Sequence, residues 1–320
     1  MAKVSLFVAV LLLLSSCGKN SVDVEPQPLY GQLSVTNSQL VSEKGEPIVL
    51  RGVSFGWHNW WPRFYNASAV EWLKEDWNCT VVRAAMGVEP QGAYLSTPDT
   101  ALACVEEVIK GAINAGIYVI VDWHSHGVNT QEAKQFFATM AQKYGQYPNI
   151  IWEIFNEPVE QSWSTIKEYA HQVIDTIRVY DPDNVILVGC PHWNQDLHMV
   201  AQSPLEGVNN VMYTMHYYAG THKADLRNRC ENVRQQGIPI FISEAGGCAA
   251  DGDGAIDYNE WEQWIEWCEK NKISWTIWCI SDKRETSAML TNKASSQGNW
   301  EDDVITENGL FVKKKLKCLN

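Results

Sequence analysis

This sequence predicts an α/β protein, a single (β/α)8 barrel of the TIM type. Three observations carry that expectation. Short β-branched or aromatic runs recur eight times, longer amphipathic stretches alternate with them, and polar residues collect where the runs end. The runs are close to continuously apolar, as strands of a parallel sheet covered on both faces must be.

The expected strands are Val49–Phe55, Thr80–Met86, Tyr118–Trp123, Ile150–Phe155, Val185–Val188, Val211–His216, Ile240–Ser243 and Trp275–Cys279. Helices are expected at Ala67–Asp76, Ala101–Ala115, Thr130–Tyr144, Ser164–Tyr180, Lys223–Gln236 and Tyr258–Asn271. Asp257 stands just before the last of these with Glu260 three residues on, the spacing of a capping box. Trp261, Trp264 and Trp267 share one face of that helix and read as core. The alternative architecture is an open doubly wound sheet. It is disfavoured because no glycine-rich phosphate loop follows the first strand.

The chain of 320 residues is 45% hydrophobic and 20% charged, which suits one large globular domain. Its net charge of −13 and the absence of a basic stripe exclude nucleic acid as a natural partner and suit a neutral ligand. Lys3 followed by the apolar run Val4–Leu14 has the layout of an export signal, too short to span a bilayer. Leu14-Ser15-Ser16-Cys17-Gly18 looks like a bacterial lipobox, which implies cleavage before Cys17 and its lipidation. The expected organisation is a signal peptide over 1–16, a tether over 17–29 and one catalytic domain over 30–320. The product would be an exported monomer held at a bacterial membrane by its lipid alone. Eight further cysteines form no C-x-x-C pair, so a cysteine zinc site is not expected, and their pairing cannot be read from sequence.

Chemistry in such a barrel sits at the carboxyl ends of the strands. Those ends read Trp57-His58-Asn59-Trp60, Arg83, His124-Ser125-His126, Asn156-Glu157-Pro158, His192-Trp193-Asn194, His216-Tyr217-Tyr218, Glu244 and Trp278 to Lys283. Two carry carboxylates, and a carboxyl pair flanking one bond is what glycoside hydrolysis requires. Trp60, Trp61, Trp193 and Trp278 are placed to present aromatic faces to a ligand.

Trp152-Glu153-Ile154-Phe155-Asn156-Glu157-Pro158 resembles the acid/base motif of glycoside hydrolase family 5, in clan A, and Ile242-Ser243-Glu244 matches its nucleophile position. The likeness is greatest to the bacterial endoglucanases (cellulases) of that family and runs from about residue 30 to the C-terminus. It implies a retaining endo-β-1,4-glucanase that needs no cofactor or metal. Glu157 would be the acid/base and Glu244 the nucleophile. Asn156 would bind the substrate 2-hydroxyl, Arg83 would hold Glu244 ionised and His124 would line the cleavage subsite. His216 and Tyr218 would orient the carboxylates, Tyr218 by a hydrogen bond to Glu244. Trp60 and Trp278 would stack on sugar rings and Lys283 would bind a hydroxyl. On this view Arg83 lowers the pKa of Glu244, while burial beside a second carboxylate raises that of Glu157.

The sequence departs from the family after the nucleophile, where Ala245-Gly246-Gly247 replaces the Trp or Phe of many relatives. The strand-one histidine has no clean match, so the role of His58 is open. Mannan, xylan and xyloglucan remain alternative substrates, since loops set specificity on this fold. Rival readings are a metal centre on His124-x-His126, a calcium loop over 251–260, and a surface glycan-binding lipoprotein without catalysis.

Overall fold

The computed structural model describes residues 26–320. The proposed signal peptide, Cys17 and most of the tether lie outside the described residues.

A hairpin of β1 (Ser34–Thr36) and β2 (Gln39–Val41) comes first, turning through left-handed Asn37 and Ser38. Eight parallel strands then close a barrel: β3 (Arg51–Phe55), β4 (Val81–Gly87), β5 (Tyr118–His124), β6 (Ile150–Glu153), β7 (Val185–Val188), β8 (Val211–Tyr218), β9 (Ile240–Gly246) and β10 (Trp275–Ile280). Each strand pairs with its sequence neighbours, and β10 pairs with β3 to complete the ring. The expected (β/α)8 barrel is therefore the observed one.

The core has two parts. Side chains on the outer faces of the strands pack against the helices, with Trp123, Trp152, Trp261 and Trp264 fully buried there. Trp261 and Trp264 are thus core, as expected. A second cluster of Leu50, Val81, Ile120, Ile151, Leu187 and Phe241 lies within the ring and continues into Leu33 and Leu40 of the hairpin. The hairpin stoppers the amino-terminal end of the barrel, where the Tyr118 hydroxyl donates to Gly31 O at 2.8 Å. Only the opposite end is left open for chemistry.

The helices start and stop for local reasons. The second begins at Pro98 rather than Ala101, because proline costs nothing in a first turn whose N–H groups are unpaired anyway. Ser162 caps Trp163–Arg178 by accepting from Thr165 N, and Asp257 caps Tyr258–Lys270 by accepting from Glu260 N at 3.0 Å. Gly116, at φ 67°, ends Pro98–Ala115. Elements not expected from the sequence include the hairpin, a short helix Leu197–Gln202, and the C-terminal helix Glu307–Leu319 capped by Thr306.

One boundary matters for function. The strand expected over Ile150–Phe155 stops at Glu153. Beyond it, Asn156 N donates to Trp123 O and Glu157 N to Ser125 O, at 3.0 and 3.2 Å. Glu157 is thereby pinned to the end of β5.

Candidate active site

Inside the open end, Arg83 projects from β4 with no exposed surface. A buried guanidinium must find acceptors for its donors. Nε donates to Glu153 Oε2 at 2.7 Å, Nη1 to Glu244 Oε2 at 3.0 Å and Nη2 to Asn156 Oδ1 at 2.6 Å, and Nη2 also forms an ion pair with Asp122 Oδ2 at 2.9 Å. Glu153 and Asp122, read from sequence as strand residues, are buried partners of this cation that went unnoticed. Their signal was a carboxylate inside an otherwise apolar strand.

A second chain of bonds starts at Glu157. His216 Nδ1 donates to Glu157 Oε1 at 2.8 Å, and its Nε2 lies 2.9 Å from Ser243 Oγ. Ser243 in turn donates to Glu153 Oε1 at 2.6 Å. The path Glu157–His216–Ser243–Glu153–Arg83–Glu244 thus links the two glutamates through buried groups. Tyr218 closes over Glu244, donating its hydroxyl to Oε1 at 2.7 Å. The register His216↔Glu244 between β8 and β9 sets this meeting.

Ligand atoms of Glu157, His216 and Glu244 all lie within 4.8 Å of one another. The two carboxylates face each other at the centre of a cleft with two lobes, of about 270 and 480 Å³. The first lobe is walled by Trp57, Trp60, Trp61, His124, Trp278 and Lys283, the second by Trp193, Gln195 and His222. Trp60 is 52% exposed and Trp193 41%, so both offer a ring face to a ligand. Trp193 sits in a strained turn: His192, Trp193 and Asn194 are all left-handed, with φ of 63°, 54° and 60°. Such backbone persists only where its surroundings enforce it. Here Asn194 is locked by Cys190 N at 2.8 Å and Asn156 O at 2.5 Å.

The two departures from the family pattern have physical explanations. A Cβ on Gly246 would lie 2.7 Å from the Tyr218 ring, so a small residue there makes room for that ring. His58 is buried away from the cleft and accepts from Gly87 N at 3.0 Å, so it supports the β3 and β4 loops. Trp57 takes the cleft wall instead, beneath Trp60 and edge-on to His124.

The electrostatics reverse both expected shifts, that of Glu157 and that of Glu244. Burial pushes the Glu157 carboxyl up, but N–H bonds from His126 and His216 more than offset it and hold the pKa at about 2. Burial also depresses His216, yet bonds to Glu153 and Glu157 raise it to about 9. Glu244 is raised, first by burial and then by the charge of Glu157, because Arg83 divides its charge among three carboxylates. The proton foreseen on Glu157 rests on His216 instead, one hydrogen bond away.

Two rival readings lose their geometry. His124 Nδ1 bonds Asp122 at 2.7 Å while His126 Nε2 faces Glu157 at 3.3 Å, so the pair does not converge on an ion. Both nitrogens of His216 are engaged, so it has no free lone pair to offer a metal. Around 251–260, Asp253 accepts from Thr286, Asp257 pairs with Lys223 and Glu260 with Arg227. These side chains point at protein partners rather than a common centre. The eight described cysteines are all free thiols.

Residues 41–284 match the family model described as cellulase, glycosyl hydrolase family 5. The chain belongs to that family. It is 39% identical over 320 residues to an endoglucanase of Clostridium saccharobutylicum, covering 97% of this chain and 71% of that protein. Across the first three curated relatives, the chain spans between 63% and 72% of their length. A solved structure from Cytophaga hutchinsonii shares 45% identity and superposes with a TM-score of 0.89, covering 90% of this chain and 95% of that one. The catalytic domain of the Thermobifida fusca endoglucanase, solved as a variant with cellotetraose, shares 32% identity at a TM-score of 0.86, covering 90% and 98%.

Proposed function

We propose that this cellulase-family protein is an endo-β-1,4-glucanase that cuts internal bonds of cellulose-type or mixed-linkage β-glucan with retention of configuration. The observation that carries it is the closeness of Glu157 and Glu244, whose nearest oxygens lie within 4.8 Å. Retaining glycosidases place their carboxyls about 5–5.5 Å apart, whereas inverting ones leave room for an intervening water.

In the first step a Glu244 oxygen attacks the anomeric carbon. The bond to the leaving sugar breaks, and its oxygen takes a proton from Glu157. In the form that reacts, the extra proton shared by the Glu157–His216 pair sits on Glu157 Oε2, and His216 is neutral with its Nδ1–H still donating to Oε1 at 2.8 Å. Once the ester forms, Glu244 is neutral. Glu157, now a carboxylate, takes a proton from water as the water oxygen attacks the same carbon. Glu244 leaves with its charge restored, stabilised by Arg83 and the Tyr218 hydroxyl. Asn156, oriented by Arg83, turns toward the sugar 2-hydroxyl. Trp60, Trp278 and Trp193 carry rings on either side of the cleavage point, and His124 walls it. Lys283, paired with Glu285, meets hydroxyls further out.

An open cleft with lobes on both sides of the carboxylates supports internal cutting. Activity of wild type, Glu157→Gln and Glu244→Gln on soluble β-glucan, mannan, xylan and xyloglucan tests this reading. We expect β-1,4-glucan to be preferred and both variants to be nearly inactive. Binding without turnover by wild type would favour a glycan-binding protein instead. The lipobox supports a further part of the proposal: an exported monomer anchored through Cys17. Metabolic labelling with a fatty acid, lost in Cys17→Ala, checks it. Among the described residues no helix is long and apolar enough to cross a membrane.

A further inference from the structure

Glu157 is held by two histidines, one on each oxygen. His216 takes Oε1 from the buried side, as described. His126 reaches Oε2 from the cleft side, its Nε2 at 3.3 Å and its side chain 39% exposed. We propose that His126 is a positioning residue for the acid/base reaction, fixing Oε2 of Glu157 toward the leaving-group oxygen. This rests on Glu157 being the acid/base.

Four observations besides that contact support the assignment. First, Oε1 is occupied by a fully buried imidazole, so proton delivery falls to Oε2, the oxygen His126 touches. Second, the loop bearing His126 is fixed by more than its own backbone. Glu89 accepts from Ser125 Oγ, from Gly127 N at 3.1 Å and from Asn129 Nδ2 at 2.8 Å. Third, one amide ties that loop to the segment following Glu157. Gln161 Oε1 accepts from Val159 N at 2.7 Å and its Nε2 donates to His126 O at 3.1 Å. Fourth, the Trp57 ring lies nearly parallel to the imidazole, 5.8 Å away, and limits its rotation. A histidine merely filling surface would need none of these restraints. A carboxylate gripped at one oxygen can still swing about its own axis, and misalignment of a proton donor weakens its catalysis.

The leaving group separates this role from a structural one. Phenyl β-cellobioside needs a proton on its departing oxygen, while 2,4-dinitrophenyl β-cellobioside does not. For His126→Phe we expect kcat/KM on the phenyl substrate to fall about 10-fold, part of the 10²–10⁴ that general acid catalysis supplies. On the dinitrophenyl substrate kcat/KM should hold, while kcat and KM fall together because water activation by Glu157 is slowed. His126→Gln, which keeps an N–H donor, should recover most of the loss. Equal losses on both substrates, or no recovery by glutamine, would overturn the proposal. Glu157→Ala run alongside should show the same leaving-group pattern, more strongly. If it does and His126→Phe does not, only this inference fails. If Glu157→Ala loses both substrates alike, the acid/base assignment itself fails.

Discussion

Gly246 and Tyr218 fit together so closely that a single added methyl would put carbon 2.7 Å from the tyrosine ring. The small residue two positions after Glu244 is therefore tied to the hydroxyl that holds that carboxylate. Tyr218→Phe should lower kcat about 10- to 100-fold, the worth of a hydrogen bond to a charged group. Gly246→Ala should act in the same direction by displacing the ring. Steady-state kinetics on a soluble β-glucan, with circular dichroism to confirm folding, checks both.

Arg83 serves three carboxylates, two of which, Asp122 and Glu153, have no exposed surface. Arg83→Met leaves them uncompensated and should cost about 3–5 kcal/mol of stability, the penalty for breaking a buried ion pair from one side. Denaturant unfolding reads this directly. Arg83→Lys should recover part of the stability but little activity, because an ammonium cannot match the planar fork that reaches Glu153, Glu244 and Asn156 together.

The pH profile follows from the two shifted groups. His216 is raised to about 9, so the Glu157–His216 pair keeps its proton below that pH and loses it as pH rises through it. The alkaline limb of kcat/KM should therefore fall near pH 9. On the proposed mechanism Glu244 must be ionised to attack, and its pKa is raised above 4.5 by burial and by the charge of Glu157. The acid limb should lie above pH 4.5, with activity lost as pH falls through it. An acid limb well below pH 4 would show that Arg83 and Tyr218 outweigh burial.

Trp193 combines strain with exposure. Trp193→Gly should relax the φ of 54° and leave stability unchanged or slightly raised. The same change should raise KM for cello-oligosaccharides about 3- to 10-fold through loss of a ring face. A thermal melt and a KM series on oligosaccharides of increasing length separate the two effects.

Much of this was legible in the sequence because period and position carried it. Eight apolar runs closed as expected, and the polar residues after them met at one end. Glu157 follows β6 and Tyr218 ends β8, whereas Arg83, His216 and Glu244, expected at strand ends, lie within β4, β8 and β9, and all five reach the same open end. Partnership across strands was not legible. Asp122 and Glu153 belong to the site through Arg83; a carboxylate inside an apolar strand signals a buried partner, but nothing local says that the partner is Arg83. His126 was visible as half of a His-x-His pair, but which histidine faces Asp122 and which faces Glu157 depends on strand pleat and loop anchoring. The direction of the Glu157 shift was missed for the same reason, since two imidazoles from β8 and the β5 loop decide it. The hairpin and the C-terminal helix lack long periodic runs; packing across the barrel floor and against Tyr258 and Trp261 orders them.

A trapping experiment bears on the whole scheme at once. The protein would be incubated with 2-deoxy-2-fluoro-β-cellobiosyl fluoride, digested, and its peptides read by mass spectrometry. Attack by Glu244 predicts one fluorocellobiosyl group, carried on the peptide containing Ile242-Ser243-Glu244, with activity lost in step. An unlabelled protein that releases product of inverted configuration, or a label on any other residue, would contradict it.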